Sequence, residues 1–370
     1  MLSVFCSPSR YVQGRGATAE LGQQMSATGL AGPVFVLCSD RVRTMLDESW
    51  STSLRAAGLE YTVGRFGGEC TEAAIESGTR EAAAFGAKTI LGAGGGKALD
   101  TARAVAANLG IPVVNCPTLA SSDAPCSALS VVYTEDGVFS RLIFYPRNPE
   151  LVLVDTEVIA QAPRRYLVSG MGDALATWFE ARSVIEAHKA NQVHGGTTIT
   201  AAALARLCCQ TLLDDGPSAA ADVEVSAVTP ALERVVEANT LLSGLGFESG
   251  GLAIAHSVHN GLTTAPATHD YMHGEKVAFG LLVQLVVEGR PAAELHEVAQ
   301  FCRSVGLPTT LAELGVAADD AETLRTVAER TVAPGETAHN EPFEVTAEAI
   351  YDGIRAADRF GTGFSAEPQE

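Results

Sequence analysis

Basic residues are scarce in this chain: 25 Lys and Arg stand against 44 Asp and Glu, a formal net charge of −19 over 370 residues. With a sequence pI near 4.8, that balance repels phosphate backbones and anionic headgroups, so neither nucleic acid nor a membrane surface is an expected partner. Solubility is the simpler use of the charge. Long apolar runs are also missing. The longest, near residues 277–287, is too short to span a bilayer and contains Gln284, and Met1-Leu2-Ser3-Val4-Phe5-Cys6 has no basic residue ahead of its apolar ones. A cytoplasmic location is expected. The eight cysteines form no Cys-x-x-Cys pair, and Cys208 and Cys209 are adjacent, which excludes a disulfide framework and a structural zinc cluster. They read as reduced, mostly buried thiols. No internal repeat or low-complexity tract stands out.

What is present is apolar surface, 46% of residues, enough for two domains with substantial cores. The first part alternates. Residues 33–38, 60–66, 89–91 and 112–116 read as extended, the third of them short, while 41–57, ended by Gly58, 71–85 and 99–109 read as helical. Such alternation predicts a parallel sheet with helices on both faces. Residues 129–133 and 142–145, joined through Glu135-Asp136-Gly137, read as a hairpin added to that sheet, and 151–154 as its last strand. After Gln161-Ala162-Pro163, strand-like runs vanish, and helical spacing continues with Gly-rich breaks at 244–251 and a final helix over 346–360. The expected division is an α/β domain over 1–162 and a helical domain over 163–370.

Three polar residues sit in segments with little use for one. Asp173 lies in the mostly apolar helix start Met171-Gly172-Asp173-Ala174-Leu175-Ala176-Thr177-Trp178, His256 follows Gly250-Gly251-Leu252-Ala253-Ile254-Ala255, and His273 stands in Tyr271-Met272-His273-Gly274-Glu275-Lys276. A buried carboxylate needs a strong partner, and a divalent cation is one. One carboxylate and two imidazoles suit zinc and leave a coordination position open for catalysis. Each alone is also what a satisfied core residue looks like. His259, three residues after His256, could share its helix face and relay a proton, or could serve only to hold its neighbours. His269, near His273, is the competing ligand, whereas His188, His194, His296 and His339 read as surface residues.

A second signal is Gly92-Ala93-Gly94-Gly95-Gly96-Lys97, which follows a strand and opens a helix, so that bare amides at a helix N-terminus could take a pyrophosphate. It matches neither the Rossmann fingerprint nor the P-loop, and tight-turn chemistry alone would also explain it. Asp40 ends an apolar strand ahead of a helix, where a carboxylate can meet ribose hydroxyls and favour NAD over NADP. Pro117-Thr118-Leu119-Ala120-Ser121-Ser122-Asp123-Ala124-Pro125 suits a ligand-wrapping loop or an ordinary polar connection.

Gly94-Gly95-Gly96-Lys97-Ala98-Leu99-Asp100-Thr101-Ala102, Ser122-Asp123-Ala124-Pro125-Cys126-Ser127-Ala128-Leu129-Ser130, Met171 to Thr177 and His273-Gly274-Glu275-Lys276-Val277-Ala278-Phe279-Gly280 resemble the glycerol dehydrogenases. These are the zinc-dependent branch of the group III, or iron-containing, alcohol dehydrogenases. The resemblance runs in order from Tyr11-Val12-Gln13-Gly14 to Asn340-Glu341-Pro342-Phe343. It implies an N-terminal α/β nucleotide-binding domain, an all-α C-terminal metal domain of the dehydroquinate synthase-like architecture, an active site in the cleft, and a homo-oligomer, often an octamer. By position, Asp173, His256 and His273 would bind Zn2+; Gly94, Gly95, Gly96, Lys97 and Asp100 would belong to the NAD site. Asp40 would meet the ribose, Thr118, Ser121, Ser127, Leu129 and Tyr133 would line the cofactor path, and Asp123 would contact a hydroxyl of a small polyol. Iron-dependent relatives carry a fourth ligand, a His, where Thr177 stands here, which favours zinc. Ser122 and Cys126 stand where relatives often have Thr, so the substrate could differ. The implied reaction is oxidation of a vicinal diol to a hydroxyketone with hydride passing to NAD. Dehydroquinate-synthase-like lyases share architecture and cofactors, but their phosphate-bearing substrate needs a basic pocket, and the metal-domain segments here are poor in Lys and Arg. A regulator with a vestigial site would not need the full ligand set.

Overall fold

The computed structural model describes residues 1–365. In chain order the main elements are β1 (Tyr11–Gly14), α1 (Leu21–Ala27), β2 (Val34–Cys38), α2 (Asp40–Ala56), β3 (Tyr61–Arg65), α3 (Glu72–Phe85), β4 (Thr89–Gly94), α4 (Gly96–Leu109), β5 (Val113–Pro117), β6 (Leu129–Tyr133), β7 (Phe139–Phe144), β8 (Leu151–Asp155) and α5 (Thr156–Ala160). There follow α6 (Arg164–Glu186), α7 (Ile199–Glu224), α8 (Pro230–Glu237), α9 (Ser243–Gly250), α10 (Ile254–Leu262), α11 (His273–Val287), α12 (Ala292–Val305), α13 (Ala321–Thr331) and α14 (Ala347–Ser365).

The chain divides into two compact units, one of Cys6–Leu167 with Ala221–Gly244, the other of Met1–Phe5, Val168–Ala220 and Leu245–Glu370. Composition alone put one boundary between 162 and 163. The observed divisions fall inside α6, α7 and α9 as well as between residues 5 and 6, and residues 221–244 belong with the first unit because contacts, not sequence order, define a compact body.

In the sheet unit, six strands run in the order β1-β8-β5-β4-β2-β3, all parallel. Successive residues of β2 serve opposite faces. Val34, Val36 and Cys38 pack with Leu21, Met25, Trp50 and Leu54, while Phe35 and Leu37 pack with Ala82, Ala102 and Val105. Burial on both faces is why such a strand reads as an uninterrupted apolar run. Ser39 and Thr71 cap α2 and α3, each accepting the backbone N–H three residues on.

The sheet departs from expectation in three places. β1 was not legible as a strand; its four half-buried residues, including Gln13, pair with β8 at the sheet edge and carry no apolar pattern. β4 continues past Leu91 to Gly94, its glycines hidden from a propensity reading but held between β2 and β5. The hairpin β6–β7 forms a separate two-stranded antiparallel sheet rather than extending the parallel one. Its partner is α4, whose Asp100 carbonyl accepts the Ser130 hydroxyl at 2.8 Å.

The helical unit is organised around α11, which buries nearly every residue from Gly274 to Leu285. That accounts for the apolar run near 277–287 as a core helix. Among the described residues no helix is long and apolar enough to cross a membrane. Residues 243–250 are helical rather than a break, and the interruption is confined to 251–253. Gly246 is needed there for packing, because a Cβ would lie 2.6 Å from the Thr177 methyl.

Candidate functional site

In the helical unit, Asp173, His256 and His273 present one carboxylate oxygen and two imidazole nitrogens, all within 4.8 Å of one another. Asp173 sits mid-helix in α6, not at its start, and is fully buried. Its Oδ1 lies 3.2 Å from His256 Nε2 and 3.0 Å from His273 Nε2. His256 stands in the first turn of α10, and His273 opens α11, where Glu275 accepts the Met272 N–H at 2.7 Å.

Bare backbone brings these helices close enough. A Cβ on Gly274 would lie 1.7 Å from the Ser169 carbonyl oxygen of α6, and one on Gly172 would lie 2.3 Å from the Gly274 carbonyl oxygen. The residues next to Asp173 and His273 are therefore glycine because α6 and α11 meet at backbone distance.

Each imidazole is backed by a different group. Glu180, two helical turns after Asp173 on α6 and fully buried, accepts the His256 Nδ1–H at 2.6 Å through Oε2. Its Oε1 accepts the backbone N–H groups of Ala253 and His256 at 2.8 and 3.0 Å. Behind His273 stands His259, its Nε2 at 3.0 Å from His273 Nδ1 and its own Nδ1 at 3.1 Å from Asn260 Oδ1. Asn260 in turn donates to Glu336 at 2.9 Å. One proton arrangement satisfies the outer contacts: both histidines carry hydrogen on Nδ1, and their Nε2 lone pairs could then face Asp173 Oδ1 only across a bound cation.

The electrostatics follow from this packing. Burial alone would raise the Asp173 pKa, but His273 and His256 hold it well below the usual carboxylate range. Burial would lower that of His256, yet Glu180 and Asp173 raise it well above the usual imidazole value. Burial, with His273 next to it, pushes His259 well below that value, in keeping with a neutral acceptor behind His273. His269 is not part of the cluster; it is exposed, with Nε2 at 3.0 Å from the Thr263 carbonyl. His188, His194, His296 and His339 are exposed. Among the described residues no disulfide joins the cysteines, and seven of the eight are buried.

In the sheet unit, registers Cys38↔Ala93 and Gly94↔Pro117 align the carboxyl ends of β2, β4 and β5. Asp40, the turn Gly94–Gly95–Gly96–Lys97 and Thr118 therefore lie at one end of the sheet, where open α/β sheets bind ligands. Gly94 has φ 152° and Gly95 is the N-cap of α4. Asp40, at the start of α2, pairs with Arg65 at 3.0 Å, and Lys97 pairs with Glu69 at 2.5 Å while lying 4.9 Å above the Tyr133 ring. Leu129 and Tyr133 share the less buried face of β6. Thr118 donates its N–H to the Gly94 carbonyl, Ser121 is partly exposed, and Ser127 is buried with its hydroxyl on the Ala124 carbonyl. Asp123 accepts the Ser243 hydroxyl at 3.3 Å. Asp100 is buried, paired with Arg103 and accepting the Val131 N–H at 3.2 Å.

Glu180 and Arg103 escaped sequence reading. For Glu180 a signal existed, a second carboxylate seven residues after Asp173 in an apolar helix, on the same face.

Residues 8–156 match the family profile described as iron-containing alcohol dehydrogenase. Over 364 residues, 98% of each chain, the sequence is 51% identical to a glycerol dehydrogenase of Thermotoga maritima. It is 47% identical, again over 98% of both chains, to a glycolaldehyde reductase of Halobacterium salinarum. Its fold matches the crystal structure of glycerol dehydrogenase from Schizosaccharomyces pombe with a TM-score of 0.94 at 40% identity, covering 98% of this chain and 92% of that one. With relatives alike over almost their whole length, the chain belongs to the iron-containing alcohol dehydrogenase family, alongside its glycerol dehydrogenases, and is an alcohol oxidoreductase.

Proposed function

We propose that this chain oxidises glycerol, or a closely related vicinal diol, to the hydroxyketone with NAD as hydride acceptor and zinc as the resident metal. The family pairs NAD with a metal ion. The observation that carries the reading is the convergence of Asp173, His256 and His273 with their Nε2 atoms aimed at one carboxylate oxygen. This donor set of one oxygen and two nitrogens fits zinc, and three protein ligands leave a position for substrate. Thr177, fully buried one helical turn after Asp173 and packed against Gly246, offers no fourth imidazole, which supports zinc over iron. When bound, the metal supplies Lewis-acid activation of an alcohol hydroxyl, and the nicotinamide supplies the hydride acceptor.

The protein's own groups do the rest. Asp173, His256 and His273 would hold the metal, with Glu180 and His259 fixing the tautomers of the two histidines. The amides of the 94–97 turn and Lys97 would hold the pyrophosphate, and Asp40 the ribose. Thr118, Ser121, Ser127, Leu129 and Tyr133 would line the cofactor path. Asp123 is assigned the second hydroxyl of the diol. His259 lies behind a ligand, so its proposed part is to orient His273 rather than to relay a proton from substrate. The likeness to a glycolaldehyde reductase makes hydroxyaldehyde reduction the reading to test beside it.

The deciding experiment follows NADH formation with glycerol and NAD before chelation, after it, and after zinc is restored. Activity lost and then regained is expected. Zinc-loaded protein inactive with glycerol and other vicinal diols, yet active in reducing glycolaldehyde, would overturn the diol reading.

A further inference from the structure

We propose that Arg103 is a positioning residue that sets Asp123 relative to the start of α4, and so sets selectivity for a second substrate hydroxyl. This rests on the assignment of Asp123 above. The turn after Asp123 is held by its carbonyls: Ala124 accepts from Arg103, Pro125 from the Asn115 side chain at 2.8 Å and Cys126 from Asn148 at 3.0 Å. Two of these donors are neutral amides. The third is a guanidinium 2% exposed, whose other terminal nitrogen binds the Asp100 carboxylate.

The Ala124 carbonyl already has a neutral donor in the Ser127 hydroxyl at 3.3 Å, so a buried ion pair is a poor choice for stability alone. What the fork adds is a rigid link. Arg103 and Asp100 are both on α4, whose first residue follows the N-cap Gly95, and the Asp100 carboxylate also takes the Val131 N–H of β6 at 3.2 Å. The start of α4 lies against the same segment, since a Cβ on Gly96 would lie 3.2 Å from Ser122 Oγ and 3.4 Å from the Ala124 Cβ. The Asp123 segment, the glycine turn and β6 are thus tied to one planar group whose two ends cannot move independently.

Arg103→Lys separates this role from simple charge balance, because an ammonium compensates Asp100 but lacks the fork that also reaches Ala124. Arg103→Met combined with Asp100→Asn removes the pair without leaving a buried charge, should the single variant fold poorly. On the full zinc-loaded chain, kcat/KM is measured for glycerol and for isopropanol, which lacks a second hydroxyl. Arg103→Lys should lower the glycerol-to-isopropanol ratio about tenfold, through KM for glycerol rather than kcat. Asp123→Asn should lower it too, and the double variant Arg103→Lys with Asp123→Asn should lower it no further than the larger single effect. An unmoved ratio in both the Lys and the Met/Asn variants, or additive effects in the double, with Asp123→Asn still effective, overturns the positioning role. An Asp123→Asn ratio equal to that of the parent overturns the Asp123 assignment itself, and the proposal with it.

Discussion

Under the proposed function, the two units of this chain would meet their ligands in opposite ways. In the sheet unit the work falls to backbone: glycines at 94–96 expose amides at the start of α4, and the side chains nearby are spoken for, Lys97 by Glu69 and Asp40 by Arg65. In the helical unit it falls to side chains, each imidazole fixed by a further group, His256 by Glu180 and His273 by His259. The difference follows from what each would bind. A pyrophosphate spreads its charge over several oxygens and is met by many weak dipoles, whereas a small cation needs a few strong donors at set angles.

That contrast makes the two halves separable by mutation. The largest effect is expected from Glu180→Gln. An amide presents one oxygen where the carboxylate now accepts three N–H groups with two, so no rotamer satisfies both His256 Nδ1–H and the Ala253 and His256 amides. Metal affinity, read by chelator competition, should fall roughly 10- to 100-fold, with the NAD dissociation constant unmoved. A parallel loss of NAD binding would break the contrast.

Gly94→Ala should do the converse. Its φ of 152° is strained for any L side chain, and a Cβ would lie 2.8 Å from that of Ala98. A cost on the order of 1–3 kcal/mol should weaken NAD about tenfold, measured by calorimetric titration, and leave zinc affinity unchanged. Unweakened NAD would mean that the turn does not hold the cofactor.

The smallest effect tests whether the helical unit keeps a buried carboxyl protonated. Both carboxyl oxygens of Glu341 are buried. Burial first, then the carboxylate of Glu288, push its pKa up from 4.5 to about 8. Glu288 is itself held by Ser183, Gln284 and Arg290. Since the folded state then holds a proton that the unfolded chain releases above its ordinary pKa, stability should decline as pH rises from about 4.5 to about 8 and level off beyond. Tm followed across that range should show the decline, and Glu341→Gln should flatten it. The same slope in both proteins would assign it to other groups.

Where elements were legible, one physical feature made them so. β2 and α2 stand out because an apolar run buried on two faces is followed by a capping serine and ended by a glycine. β1 did not, because a half-buried edge strand needs no apolar pattern, only backbone pairing with β8. The glycines at 244–250 misled, since their helix is stabilised by close packing rather than by propensity. For the site, Asp173, His256 and His273 were visible as polar residues stranded among apolar ones, but Glu180 hid in the same helix.

By itself the amino-acid sequence determined residue chemistry and local periodicity: which segments must be buried, where amides are left bare, and which few polar groups are expensive unless partnered. Tertiary structure alone decided who those partners are. Asp173 and His273 are a hundred residues apart in sequence and meet because Gly172 and Gly274 let two backbones touch; Arg103 and Ala124 meet because α4 packs under the loop that follows β5. Such pairings depend on the distance between elements, which is set by the packing of whole helices and strands and leaves no local periodicity in the chain to read.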